Sequence, residues 1–304
     1  MVSMRFFGPP GVGHFRSLEG RAAYVDAYQR AMSQLPAPTA TYDVVTDLGC
    51  VRAYEWRLPE VTKTVPVVLV PGRASGVPMW SENMSGFVGD HRVIAFDALG
   101  DAGLSVQSAP LESFENQALW MEQVLAELTH SGAHLVGHSF GGATAATYAR
   151  HFPGRVVSLT LLEPVFTFAY PPARLLGWTV LSSLPGLPDG VRNYALGKVG
   201  GVEYDPNDHM AKMIAAGSKH FSASLPQPAP LNDVELQGLT MPTYVAIADH
   251  DSLAGGDAAA DRARLLPHGV VEVWSDTTHS LPMQAKDKLD ARLKAFWAAS
   301  EVPG

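Results

Sequence analysis

Residues Gly137-His138-Ser139-Phe140-Gly141-Gly142 set a hydroxyl nucleophile among small neighbours. A serine hydroxyl is weakly nucleophilic, so it must be held out towards a base that takes its proton. A sharp turn from strand to helix presents it that way but strains the backbone at the serine. Only small residues fit two positions before and two after it. Here the apolar Leu135-Val136 leads in and the alanine-rich stretch 143–149 leads out. The first amides of that helix would face a developing negative charge. The chemistry so described is acyl transfer, with Ser139 as nucleophile and the N–H of Phe140 as one oxyanion donor.

A base and an acid must then arrive from elsewhere in the chain. Tyr244–Ala248 reads as a strand ending in Asp249-His250-Asp251, and Val270–Trp274 reads as the next, followed by a loop with His279. An acid after one strand and a histidine after the next fall at the sheet edge that carries Ser139, in the chain order serine, acid, histidine. Asp251 is the expected acid, orienting His279, and His279 is the expected base. Asp249 competes for the acid's place. Glu163, at the end of the strand Leu159–Leu162, is a further candidate, or else an anchor for a covering segment. Upstream, Val67–Val70 runs into Pro71-Gly72-Arg73-Ala74. There the Arg73 amide is expected to be the second oxyanion donor, because Gly72 permits close backbone approach. The remaining histidines show no metal-ligand spacing. His138 is expected to point away from the nucleophile, and His14, His91, His130, His134, His151, His209, His220, His250 and His268 are read as unpaired. No metal and no cofactor is expected.

The elements that must position these groups alternate. Apolar runs at 65–70, 93–96, 133–136, 156–162, 244–248 and 270–274 read as buried strands. Helical patterns occupy 113–130 (apolar at Phe114, Ala118, Met121, Leu125 and Leu128, with Ser113 as N-cap), 140–151, 256–266 and 284–299. Such alternation implies a mostly parallel sheet covered on both faces. Ahead of it, 42–48 and 51–57 read as a hairpin turning at Gly49-Cys50, and 18–35 reads as a helix with Leu18, Ala22, Val25, Tyr28, Met32 and Leu35 on its apolar face. Residues 1–17 read as an irregular arm. Its glycine-rich run Gly8 to Gly13 has no strand before it, so a phosphate loop is not expected. Residues 165–235, rich in proline and aromatics, break the rhythm and read as a short-helix insertion over one end of the sheet.

Composition narrows the partners. The 304 residues carry 22 Lys+Arg against 30 Asp+Glu, a net charge of −8, which disfavours polyanion binding. A single cysteine, Cys50, excludes an internal disulfide. No run reaches the roughly 18 apolar residues of a membrane span, and the first residues form no signal-peptide core. A cytoplasmic protein acting on a small molecule is the expectation; oligomeric state is not legible.

Taken together these residues resemble the α/β-hydrolase superfamily over roughly 42–300. Gly137 to Gly142 is similar to its nucleophile elbow. Pro71-Gly72-Arg73 stands where the family usually has His-Gly and then the oxyanion donor. Asp97 through Gly100-Asp101-Ala102-Gly103-Leu104-Ser105 resembles its Asp-x-x-Gly-x-Gly-x-Ser turn with one extra residue. Ala248-Asp249-His250-Asp251 resembles the acid loop, and Thr278-His279-Ser280 the histidine loop. The Gly-Asp-Ala-Gly turn and Met79-Trp80 look most like bacterial carboxylesterase-type members. The resemblance implies an α/β fold with a mostly parallel eight-stranded sheet and a small helical cap. It divides the chain into an N-terminal arm and helix (1–41), a core (42–164 and 236–304) and a cap (165–235). It also implies a serine hydrolase cleaving a small, mainly apolar carboxylic ester, with Trp80, Phe166 and Trp178 as candidate substrate contacts. Thioester, C–C bond and perhydrolase chemistry, or a non-catalytic ligand-binding role, are the alternatives on the same fold.

Overall fold

A computed structural model describes residues 10–61, 63 and 65–301. Of the glycine-rich run Gly8 to Gly13, Gly8 and Pro9 lie outside the described residues, as do positions 1–7 of the arm. Strand β1 (His14–Phe15) precedes helix α1 (Leu18–Met32), whose N-cap Ser17 accepts the Gly20 amide at 2.9 Å. Strands β2 (Ala40–Thr46) and β3 (Gly49–Trp56) form the expected hairpin, but it turns at Asp47-Leu48, not at Gly49-Cys50. Gly49 opens β3, where a Cβ would lie 2.3 Å from the Val106 carbonyl oxygen.

Then follow β4 (Val67–Val70), a 3-10 turn at Val77–Trp80, α2 (Ser81–Phe87), β5 (Val93–Phe96) and the two-residue β6 (Val106–Gln107). The middle of the chain holds α3 (Asn116–Leu128), β7 (Ala133–His138), α4 (Phe140–His151) and β8 (Val156–Leu162). Next come α5 (Ala173–Ser183), α6 (Asp189–Gly200), α7 (His209–His220), β9 (Phe221–Ser222) and α8 (Asp233–Gln237). The chain ends with β10 (Thr243–Ala248), α9 (Asp257–Ala263), β11 (Gly269–Trp274), α10 (Leu281–Gln284) and α11 (Lys286–Ser300).

The main sheet runs β11-β10-β8-β7-β4-β5-β3-β2, with β6 attached to β3. Pairing is parallel from β11 to β5 and antiparallel beyond, so the expected mostly parallel eight-stranded sheet is present. Successive side chains of a strand point to opposite faces. Accordingly, Val68 and Val70 join one apolar layer with Phe96, Trp120 and Tyr148, while Val67 and Leu69 join another with Trp80, Phe87 and Trp297. Strands β4, β7 and β10 are buried at every position, which is why they read as mostly apolar runs, with His134 and His138 buried in β7.

Two local expectations shift. Helix α3 begins at Asn116, three residues late, because Asn116 Oδ1 accepts the amides of Glu112 and Ser113 and Ser113 does not cap. Helix α1 buries Gly20, Tyr24, Tyr28 and Ala31: of the expected stripe Tyr28 is buried, as is Leu35 just beyond the helix, but Leu18 is 65% exposed. The reason is its neighbour: Tyr24 and Tyr28 pack with Met213 of α7, Phe221 of β9 and Ala102. Strand β1 pairs antiparallel with β9, so His14 and Phe15 are not irregular. Helices α5 and α6 pack on each other, with Trp178 edge-on to Tyr194 at 5.6 Å.

At the end of the sheet away from Ser139, three residues read as unpaired or unremarked meet. Glu301 accepts from His91 Nε2 at 3.0 Å and His134 Nε2 at 3.2 Å, and pairs with Lys63 at 3.1 Å. His134 Nδ1 is 2.8 Å from Ser158 Oγ. The cluster fastens the end of α11 to the base of β7. Burial lowers His134 from 6.5 to about 4, so it folds neutral. Between those values the unfolded chain binds a proton that the folded chain does not, so stability falls as pH drops from 6.5 to 4, by at most about 3 kcal/mol from this group. Asp97, pushed up by burial to about 6, acts in the opposite sense over most of that window. The contribution of His134 therefore emerges by difference: urea unfolding of His134→Gln should show a flatter pH dependence than wild type between pH 6.5 and 4. Equal slopes would contradict the assignment.

Candidate active site

Ser139 sits between β7 and α4 with φ 56° and ψ −124°, a strained conformation for a residue with a side chain. Its neighbours show why they are glycine. A Cβ on Gly137 would lie 2.4 Å from the Gly141 carbonyl oxygen, and one on Gly141 would lie 2.3 Å from that of Pro71. The turn is tied to the next strand on both sides: the Ser139 amide donates to Leu162 O at 3.0 Å, and Val165 N donates to Ser139 O at 3.1 Å.

The hydroxyl of Ser139 lies 2.9 Å from His279 Nε2, and His279 Nδ1 lies 3.1 Å from Glu163 Oε2. All three groups are buried. With a carboxylate on one side, the imidazole carries its proton on Nδ1 and offers Nε2 as acceptor to the serine. The acid at His279 is thus Glu163, the further candidate, and not Asp251. Asp251 is nearly half exposed and pairs with Arg174 of α5 at 2.5 Å. Asp249 is also elsewhere engaged, accepting from His250 Nδ1 and from the amides of Asp276 and Thr277. The loop after β10 does serve the site, by a different route. Ala248 N and Ser252 Oγ donate to Glu163 Oε1 at 2.8 Å each, and the amides of Leu253 and Ala254 donate to Oε2. The loop expected to carry the acid instead supplies the donors that hold an acid from β8.

Burial would raise the Glu163 carboxyl, but the hydrogen bond and charge of His279, with the Ala248 and Ser252 donors, outweigh it and keep it below the usual glutamate range. The site therefore holds a carboxylate at neutral pH. Glu163 itself has φ 47°. Its signal in the sequence is its place: a lone acid directly following a buried, mostly apolar strand, where an unpaired carboxylate would be costly.

His138 makes no hydrogen bond to the Ser139 hydroxyl but is engaged nearby. It faces the His279 loop rather than away from it, donating from Nε2 to the His279 carbonyl at 2.9 Å, with the two rings 4.9 Å apart. Burial, with the nearby His279, lowers it to about 3, so it is a neutral donor that fixes the loop of His279. Adjacency to the serine was the one sequence cue to it.

Phe140 opens α4, where its N–H has no intrahelical acceptor. The turn after β4 comes close to the nucleophile: a Cβ on Gly72 would lie 3.1 Å from Ser139 Cβ. Of the expected substrate contacts, Trp80 is corrected. It is fully buried in the core against Phe87, a bulky apolar ring for which the 3-10 turn provides an interior position. Phe166 and Trp178 pack around Val165, Leu175 and Leu253 beyond the end of the sheet. Phe166 also lines a cleft of about 390 Å³ beside α4, with Phe114, Ala143, Thr147 and Pro228; Ser139, Glu163 and His279 are not among its lining residues.

The family described as alpha/beta hydrolase fold matches residues 65–199. The structure aligns with the crystal structure of carboxylesterase CesB (YbfK) from Bacillus subtilis at a TM-score of 0.83 and 21% identity, covering 92% of this chain and 98% of that one. The chain is an α/β-hydrolase-fold protein. In sequence, the chain is 24% identical to carboxylesterase YbfK of Bacillus subtilis over 93% of its own length and 96% of the relative's. The naproxen esterase (carboxylesterase NP) of Bacillus subtilis aligns with the structure at a TM-score of 0.82 and 20% identity, covering 92% of this chain and 99% of that one. The protein is carboxylesterase-like along nearly its whole length. No helix of the described residues is long and apolar enough to cross a membrane.

Proposed function

We propose that this α/β-hydrolase is a serine esterase that cleaves small, mainly apolar carboxylic esters through an acyl-enzyme. The observation that carries the reading is the relay from Ser139 Oγ to His279 Nε2 at 2.9 Å and from His279 Nδ1 to Glu163 at 3.1 Å. Ser139 attacks the ester carbonyl while His279 takes its proton. The C–O π pair moves onto oxygen, and the amides of Phe140 and Arg73 stabilise that oxyanion. Collapse expels the alkoxide, which His279 protonates. Water, deprotonated by the same imidazole, then releases the acid. Glu163 stabilises the imidazolium without itself taking the proton.

Support for an apolar ester comes from the aromatic cap residues Phe166, Trp178 and Tyr194 and from the likeness to two carboxylesterases. Arg174 to Asp251 is a link between cap helix α5 and the core. Reaction with a fluorophosphonate probe tests the activated serine directly. Stoichiometric labelling of Ser139, together with turnover of p-nitrophenyl acetate or butyrate in preference to matching amides, is the expected result. A protein that resists the probe and hydrolyses no ester would refute the reading.

A further inference from the structure

We infer that Asp101, together with Met79, is a positioning pair that sets the Arg73 amide as an oxyanion donor; the inference rests on the esterase reading above. The turn 71–74 offers three consecutive amides after Pro71, which has none. The two flanking amides are committed. Gly72 N–H donates to Met79 Sδ at 3.2 Å, and Ala74 N–H donates to Asp101 Oδ2 at 2.7 Å. The middle amide, that of Arg73, is therefore the one the turn leaves for a ligand. Gly72 itself lies against the Ser139 side chain, so this amide belongs to the neighbourhood of the nucleophile.

Neither anchor is a casual surface contact. Met79 is buried, and its sulfur lies 3.3 Å from Ser75 Oγ, whose proton goes to the Gly72 carbonyl at 2.7 Å. Thioether sulfur is a weak acceptor, so its use by a buried amide marks a position where no carbonyl reaches. Asp101 is buried as well, and its second oxygen accepts the Ala102 amide at 2.8 Å. Burial raises its carboxyl, opposed by the charge of Arg73 and the two amides. Ala74 is held at φ 58°, a left-handed conformation that an alanine adopts only under constraint. The short charge-assisted bond to Asp101 supplies that constraint.

A second carboxylate repeats the device one turn further on. Asp97 Oδ1 accepts Val77 N–H at 3.0 Å and the Tyr28 hydroxyl at 3.2 Å, while Oδ2 accepts Leu104 N–H at 2.7 Å. Thus the segment Gly72–Val77 is fixed to the loop after β5 at two points, and α1 braces the second. Asp101 touches no reacting atom in this scheme. It acts through the peptide plane between Gly72 and Ala74.

The test compares Asp101→Asn and Met79→Leu with wild type on a p-nitrophenyl ester, with active protein counted by complete fluorophosphonate labelling. Removing an oxyanion donor outright costs 10²–10³ in kcat, and a displaced one costs less, so Asp101→Asn should lower kcat about 10–100-fold with KM within about threefold. Leucine keeps the volume of Met79 but not the acceptor, so Met79→Leu should lower kcat about 3–10-fold. An alkyl boronic acid, whose tetrahedral adduct places an oxygen at the oxyanion donors, should lose affinity in parallel with kcat. A purely structural role would lower melting temperature and labelled fraction and leave kcat per labelled site unchanged, and that result overturns the inference. So does a loss confined to KM. Should Asp101→Asn fail to fold, Met79→Leu decides by the same readouts. A wild type that is neither labelled nor active removes the esterase reading itself, whereas an active wild type with two unaffected variants removes the positioning inference alone.

Discussion

Glu163→Gln should lower kcat by about 10³–10⁴-fold, the size seen when the carboxylate behind a catalytic histidine becomes an amide. Glutamine presents an NH₂ or a neutral carbonyl to His279 Nδ1, so the tautomer with a free Nε2 is no longer enforced and the imidazolium loses its counter-charge. The same exchange disturbs four other donors, from Ala248, Ser252, Leu253 and Ala254. A fall in melting temperature should accompany it, and activity must be referred to folded protein. Asp251→Asn is the matched control. Its side chain is nearly half exposed and engaged with Arg174, an interaction of the kind that contributes about 0–1 kcal/mol. Turnover of that variant should stay within about threefold of wild type. If Asp251→Asn were the crippled enzyme and Glu163→Gln the active one, the relay described here would be wrong.

Ser139→Ala should remove essentially all turnover, on the order of 10⁶-fold in kcat, leaving the residual acceleration that binding and oxyanion donors provide. Fluorophosphonate labelling should vanish with it. The fold should be indifferent: alanine at φ 56° bears the same backbone strain as serine, and the tie of Ser139 N to Leu162 O is a backbone bond. A melting temperature within a few degrees of wild type, measured on the same preparation, separates lost chemistry from lost structure. Undiminished hydrolysis by this variant would mean that another nucleophile operates.

Ser139 and His279 were legible because each is announced locally, one by small residues around a strand-to-helix turn and the other by its place after a strand-like run. The acid was not, since choosing it requires knowing which strand ends face one another. Strands β8 and β10 are neighbours ending at one edge, so Glu163 and Asp251 were equivalent in pattern and differ only in burial. The buried strands were equally plain, being apolar on both faces. The face of α1 was not, because its partner α7 lies nearly two hundred residues away. Trp80 illustrates the same limit: an aromatic near a candidate site reads as a substrate contact until packing shows it in the interior.

The leading segment of the chain bears on how the molecule can open. Through Tyr28 it grips Asp97 beneath the turn that approaches Ser139, and through Tyr24 and Phe15 it grips α7 and β9. One short stretch thus clasps both the loop after β5 and the α7–β9 segment. Any movement of α7 and β9 away from α1 would have to tear that clasp apart. Helix α6 is fastened too: Thr278 Oγ1 and Ser280 Oγ, on either side of His279, donate to the Gly200 carbonyl at its end at 2.9 and 2.8 Å, so any displacement of α6 pulls directly on the histidine loop.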